Sequence, residues 1–177
     1  MKDELFDVVN ERDEVVGQAP RSEVHRQGLR HRATHILLFN QRGEVFLQKR
    51  SAKKDTFPGA WDSSASGHLD TGENYDACAV RELKEELGWE PGGPMEKLFK
   101  LKACPETGQE FIWVYRAQAE GPFQLHADEI ERGEWFTPER VTQWLREDPE
   151  DFASGFRVLW SRYTAGPTAG QSAQVKT

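Results

Sequence analysis

The chain has 177 residues, a length that suits one domain with a sizeable core. Its 30 acidic side chains outnumber 23 basic ones, leaving a net charge of −7, which argues against a general nucleic-acid or membrane-surface binder, since either would want a basic face. No run of about 18 apolar residues occurs and the start, Met1-Lys2-Asp3-Glu4, lacks an apolar signal region, so no membrane partner and a cytoplasmic location are expected.

In chain order, the apolar stretches around Phe6 and at Val15 and Val16 read as a short hairpin whose turn is residues 10–13. Pro20 and Ser22 open a short helix that Gly28 ends. Residues 34–39 and 44–48 form a second hairpin about the turn 40–43. A loop carrying Lys53, Lys54, Phe57, Pro58 and Gly59 follows, and Trp61 begins a strand leading into a glycine-rich turn at Gly67. A central helix spans roughly 74–87, with Ala79, Val80, Leu83 and Leu87 in one apolar arc and Gly88 placed to cap it in the left-handed conformation. The three glutamates beside that arc are expected at the margin of the buried face, along a groove. Strands at about 97–103 and 110–119, a short strand at Trp135 and Phe136, and a helix capped by Thr137 come next. Phe152, Phe156, Leu159, Trp160 and Tyr163 recur at helical spacing, predicting a last amphipathic helix. The domain is expected to occupy residues 1–163, with 164–177, rich in Ala, Gly, Ser, Thr and Gln, as a disordered tail. The two cysteines, Cys78 on the central helix and Cys104 near a strand end, show no CxxC and no disulfide-framework spacing, which fits a reducing compartment.

At about 100° per residue, Glu82, Glu85 and Glu86 project from the central helix within an arc of about 100°. A run of acids is ordinarily a solvated face. Three carboxylates this close repel one another, however, and nothing in the local sequence neutralises all three. A divalent cation with oxygen ligands, Mg²⁺ or Mn²⁺, is the simplest remedy. Such a cation also supplies the positive charge that an acidic protein needs to act on a phosphate.

Gly67, five residues, Glu73, seven residues, then Arg81-Glu82-Leu83-Lys84-Glu85-Glu86-Leu87-Gly88-Trp89 resembles the Nudix box of diphosphate hydrolases at every defined position. The resemblance implies an α/β (α+β) fold, an α/β/α sandwich around a mixed β-sheet, with a loop–helix–loop presenting the metal ligands. It implies a small-molecule partner, a nucleotide or other diphosphate, cleaved by metal-activated water. A broader stretch, with His25, Gly28, His31, Gln48-Lys49-Arg50, Phe57-Pro58-Gly59-Ala60-Trp61 and Ser66-Gly67-His68, resembles the branch related to isopentenyl-diphosphate isomerase. Where those isomerases carry a catalytic cysteine this chain has Ser66, a far weaker acid, and of two expected later glutamates only Glu110 remains, the other position reading Gly108. Hydrolysis is therefore preferred over isomerisation. A catalytically silent nucleotide sensor is the third reading, and the intact acidic triad speaks against it.

On these grounds Glu82, Glu85 and Glu86 are the expected metal ligands, with one of them or a nearby loop glutamate orienting the attacking water. Gly67 is expected to offer its carbonyl to the metal, because a side chain there would block close approach. Arg81 is read as an orienter of Glu73 or Glu85. Glu110 and Glu129 are candidate additional ligands or bases. His25, His31, His35 and His68 are candidates for a second metal site suited to Mn²⁺ or Zn²⁺. Arg50 and Lys53, in a basic run with Lys49 and Lys54, are candidates to hold substrate phosphates, and Trp61 and Trp113 to stack on a base.

Overall fold

The structure is a computed structural model that describes residues 3–167. Two strands and a short helix come first, β1 (Leu5–Val9), β2 (Val15–Pro20) and α1 (Arg21–Gln27). Then follow β3 (His31–Phe39), β4 (Val45–Arg50), β5 (Trp61–Asp62), β6 (Ala65–His68) and α2 (Tyr75–Leu87). The remainder is β7 (Glu96–Leu101), β8 (Glu110–Gln118), β9 (Ile130–Phe136), α3 (Pro138–Glu147) and α4 (Ser154–Thr164). No helix among the described residues is long and apolar enough to cross a membrane. Of the tail expected over 164–177, Thr164 closes α4, and residues 168–177 lie outside the described residues.

The two tight turns share one device. Asn10 Oδ1 accepts the amides of Arg12 and Glu14 at 2.9 and 3.1 Å, and Asn40 Oδ1 accepts those of Arg42 and Glu44 at 3.0 and 2.9 Å. The second turn places Gly43 at its left-handed position, the first Asp13 at φ 60°. A non-glycine residue is kept there because its buried carboxylate takes Arg32 Nε at 2.6 Å, the Tyr75 hydroxyl at 2.7 Å and the Lys100 ammonium.

β1 and β2 pair only with each other; the other seven strands make one mixed sheet in the order β5-β4-β3-β8-β7, with β6 also on β3 and β9 also on β4. β3 and β8 run parallel over nine residues, from His31 beside Glu110 to Phe39 beside Gln118. The expected second hairpin holds only at its neck, Phe39 opposite Val45. Beyond it the strands splay, because β6 pairs along β3 from Ile36 to Ala33 and β9 pairs along β4 from Val45 to Arg50. For the same reason the strand expected at Trp135 and Phe136 extends back to Ile130.

The apolar run of β3 is buried on both faces, as a central strand requires. Leu37 and Phe39 join Leu47, Ile112 and Val114 under α3 and α4, where Val141, Phe156, Leu159 and Trp160 pack. Ile36 and Leu38 join Phe46 and Tyr115 against Ala79, Leu83 and Leu87 of α2. The result is a mixed sheet between two helical layers.

α2 begins where Asn74 accepts the Ala77 amide at 2.8 Å and stops at Gly88, φ 60°. Its buried arc is rotated from the expected one. Val80 is 39% exposed, whereas Cys78, Glu82 and Glu86 are buried. The helix thus turns two carboxylates into the protein rather than along its margin.

Candidate functional site

β6 passes so close to α2 that a Cβ on Gly67 would lie 2.0 Å from both the Glu82 carboxyl carbon and Oε1. Only a glycine admits this approach. Gly67→Ala is expected to cost about 1–3 kcal/mol by overpacking, measured by urea denaturation, and distinctly less in a Glu82→Ala background that vacates the contact.

Arg81 sits among the carboxylates. Its guanidinium donates two 2.9 Å bonds to Glu73, one of 2.8 Å to Glu82, one of 3.2 Å to Glu85 and one of 3.0 Å to the His68 carbonyl. Glu73 also accepts the Asp70 amide at 3.0 Å, so this pair closes the loop before α2 onto the helix. Glu86 lies beyond Arg81's reach. Its Oε2 accepts the Gln48 side-chain amide at 2.8 Å and the Ser66 backbone amide at 3.1 Å. Gln48, the first polar residue after the apolar run of β4 and buried nonetheless, escaped the sequence reading of the site, because the Lys49 and Arg50 that follow it make it look like the start of a polar strand end.

These bonds do not offset the burial of two like charges. Burial, with Glu85 and Glu73 adding repulsion against the attraction of Arg81, pushes Glu82 up to about 7. Burial and the neighbouring Glu82, against the help of Gln48 and Ser66, push Glu86 up to about 8. Glu85 keeps 56% of its side chain exposed. Two buried carboxylates that resist ionising and one accessible carboxylate, all on α2, are hard oxygen donors of the kind a divalent cation takes.

Successive residues of a strand face opposite ways. While Gly67 meets α2, the His68 side chain enters a second cluster. His25, His31, His68 and Glu110 each bring one ligand atom, all within 4.8 Å of one another. His31 Nδ1 lies 2.9 Å from the Leu29 carbonyl, which can only accept, so the proton is on Nδ1 and, in the neutral ring, Nε2 is a bare lone pair. That Nε2 is buried, has no hydrogen-bond partner and faces Glu110 Oε1 at 3.5 Å. The same oxygen is 2.8 Å from His68 Nε2. Burial, then His68, Arg21 and His31, hold His25 down to about 4. Glu110 is raised by burial, but His68 and His31 outweigh this and hold it below the ordinary carboxylate range. The expected fourth imidazole is corrected. His35 instead meets Ser63 Oγ at 2.7 Å and Asp62 at 3.6 Å, and Glu110 takes its place.

The structure engages the expected substrate groups elsewhere. Arg50 bonds the Thr56 carbonyl and hydroxyl at 3.0 and 3.1 Å and Asp62 at 3.3 Å. Lys53 pairs with Asp128 at 2.8 Å, Lys49 with Glu131 at 3.3 Å and Lys54 with Glu129, so the basic run braces its loop against residues 128–131. Glu129 is thereby committed to Lys54. Trp61 is 5% exposed and packs edge-on against Phe136 and Trp144, leaving no ring face for a base; core burial outweighed any use in binding. Trp113 carries the Lys97 ammonium 4.5 Å over its ring.

Comparison with known proteins places these features in a family. The NUDIX domain profile matches residues 29–156. The uncharacterised Nudix hydrolase YfcD of Escherichia coli (strain K12) is 36% identical over 166 residues, covering 92% of this chain and 89% of that protein. The crystal structure of DR0079 from Deinococcus radiodurans superposes with a TM-score of 0.81 at 32% identity, covering 90% of this chain and 98% of that one. The NUDIX domain of Shewanella oneidensis NrtR, solved in complex with ADP ribose, shares the fold at a TM-score of 0.60 and 18% identity, covering 77% and 89%. With a domain match over residues 29–156 and a full-length relative of this similarity, the chain belongs to the Nudix hydrolase family.

Proposed function

We propose that this protein hydrolyses a phosphoanhydride bond in nucleoside di- or triphosphates or nucleoside diphosphate derivatives, using Mg²⁺ or Mn²⁺ held by Glu82, Glu85, Glu86 and the Gly67 carbonyl. The observation that carries this reading is the pair of buried carboxylates pushed up to about 7 and 8 against a backbone with no room for a side chain. When bound, the cation neutralises phosphate oxygens and lowers the pKa of water. The protein's own part is positional. Gln48 and the Ser66 amide fix one oxygen of Glu86. Arg81 fixes Glu82 and one oxygen of Glu85, whose exposed side chain is free to orient water or take its proton. Products are two phosphate-bearing fragments, or a nucleoside monophosphate and phosphate from a free diphosphate. The ADP ribose named for the NrtR domain is a nucleoside diphosphate derivative and belongs in the first panel of substrates.

His25, His31, His68 and Glu110 form a second, softer donor set of three nitrogens and one carboxylate, suited to Mn²⁺ or Zn²⁺. The unpaired Nε2 of His31, facing a carboxylate oxygen, supports it. The two free thiols, Cys78 and Cys104, agree with a cytoplasmic setting.

Isomerisation of isopentenyl diphosphate is the rival, on the shared run from His25 to Glu110. Ser66 supplies a hydroxyl where a thiol would be needed, which ranks this second. Phosphate or phosphomonoester release across a nucleotide panel, with Mg²⁺ or Mn²⁺ and with Glu86→Gln beside the parent, is the deciding experiment. Metal-dependent release by the parent alone is expected, with isopentenyl diphosphate returned unrearranged. Tight nucleotide binding without turnover would replace the hydrolase by a sensor.

A further inference from the structure

The loop that carries the chain from β6 into α2, residues 69–74, is secured at each end by neighbouring parts of the domain. The Leu69 amide bonds the Arg32 carbonyl at 3.1 Å, and Arg81 grips Glu73. Its exposed apex, Thr71 and Gly72, is held from elsewhere. The Leu5 carbonyl accepts the Thr71 amide at 3.2 Å and its hydroxyl at 2.9 Å, and Asp7 Oδ2 accepts the Gly72 amide at 2.9 Å. Among the described residues no other hydrogen bond reaches these two. Leu5 and Asp7 both lie on β1, ahead of residues 29–156 that the NUDIX profile matches.

β1 is itself firmly set. The Val9 amide bonds the Arg30 carbonyl at 2.9 Å, and at the hairpin turn Asp13 takes Arg32 of β3, Lys100 of β7 and the Tyr75 hydroxyl at the start of α2. Asp7 is buried, yet its carboxylate has two hydrogen-bond partners, neither of them charged: the Gly72 amide and the Gln18 side-chain amide at 3.3 Å. Arg32, which feels the charge of Asp7, is bonded to Asp13 instead. Burying a carboxylate is costly, and an anionic acceptor holds an amide more strongly than a neutral one. That strength is spent on the apex of the loop.

Resting on the α2 cation site proposed above, we infer that Asp7 is a positioning residue for it, acting from β1 through the loop apex. Gly72 is followed directly by Glu73, so the anchored amide sets where the Glu73 side chain begins. Glu73 takes Nε and one terminal nitrogen of Arg81 at 2.9 Å each, a two-point grip that fixes the guanidinium plane. The other terminal nitrogen then spans Glu82 at 2.8 Å and Glu85 at 3.2 Å. With the apex released, Glu73 is free to leave Arg81. A guanidinium without that partner can pair two-point with Glu82 or Glu85 and compete with the cation for their oxygens. Asp7 thus acts on the site through Gly72, Glu73 and Arg81 in turn, touching neither cation nor substrate.

Calorimetric titration of Mg²⁺ into the full chain, without nucleotide, tests this, with hydrogen exchange of the metal-free protein read beside it. Asp7→Ala is expected to speed exchange of the Gly72 amide and to weaken Mg²⁺ binding about ten-fold, the factor that one charge-assisted hydrogen bond at the low end of its range corresponds to. Asp7→Asn keeps an oxygen for the Gly72 amide and should stay within about three-fold of the parent. A packing defect alone would lower stability and leave the Mg²⁺ constant of the folded protein unchanged. Should Asp7→Ala lose the protection of β3 and β8 amides, Thr71→Val carries the test. It removes one exposed hydroxyl, and the expected weakening is about three-fold. Mg²⁺ affinity unchanged in the variant that carries the test, but lost in Glu85→Gln, would overturn the positioning role and leave the cation site standing. A parent that binds no Mg²⁺, or binding that Glu85→Gln and Glu86→Gln leave untouched, would overturn both.

Discussion

Glu86→Gln is expected to lower turnover by at least about two orders of magnitude while making the metal-free protein more stable, by about 1–3 kcal/mol. The two effects have one cause. In the folded chain Glu86 is 7% exposed, lies beside Glu82 and is pushed up to about 8, so at neutral pH its ionised form is disfavoured. A glutamine keeps the shape and one oxygen for the Gln48 and Ser66 amides, and it removes the like charge. What it lacks is the anionic ligand. Groups held against their own preference mark function, and their removal commonly trades activity for stability. Glu85→Gln separates the terms: its side chain is over half exposed, so activity should fall and stability should stay within about 0.5 kcal/mol. Urea denaturation in a chelator and single-substrate kinetics in Mg²⁺ give both readouts. Unchanged turnover in Glu86→Gln would remove the cation assignment. A less stable metal-free variant would make Glu86 a structural acid instead.

Legibility in the sequence followed the range of the forces involved. The Asn74 cap, the Gly88 stop and the Asn40 turn are local chemistry and were readable as such. So was the spacing that brings Gly67, Arg81 and the glutamates together, since helix geometry and one sharp approach decide it. The splay of β3 from β4 was not readable, because it depends on β6 and β9 arriving from distant sequence. The histidine set shows the difference most clearly. His31 and His35 share a face of one strand, but four residues at about 3.3 Å each separate them by about 13 Å, too far for one ion. Parallel pairing instead lays Glu110 directly beside His31, 79 positions away in sequence, and antiparallel pairing sets His68 opposite Ala33. Residue types announced a donor cluster; register decided its members. The rotation of α2 was likewise hidden, since Val80 and Glu86 flank the apolar arc and only the packing of β6 chooses which is buried.

The metal-free protein is expected to lose about 2–3 kcal/mol of stability, roughly 5–10 °C in Tm, as pH rises from 6.5 to 8.5. A carboxyl whose folded pKa is raised binds its proton more tightly in the folded chain. Its contribution is therefore complete below the unfolded value of 4.5 and is lost as pH climbs through the folded one, about 7 for Glu82 and about 8 for Glu86. His25 has the opposite slope, since burial holds it down to about 4 from 6.5 and its ring must charge on unfolding below that. Its effect ends near pH 6.5, so above that point the two glutamates dominate, with the Cys78 thiol, pushed up by burial, adding a small loss in the same direction towards pH 8.5. A divalent cation needs both of them ionised, and its binding releases their protons. The Tm increment from saturating Mg²⁺ should therefore grow across the window in which the metal-free protein weakens. In a Glu82→Gln, Glu86→Gln double variant both trends should flatten together. Calorimetry at pH 6.5, 7.5 and 8.5, with chelator and with Mg²⁺, measures all of this, and a Mg²⁺ increment independent of pH would show that the cation does not engage the buried pair. Stability that falls without metal and recovers with it makes the acidic pair a strained fitting for a cation, and a surface acid patch would give neither trend.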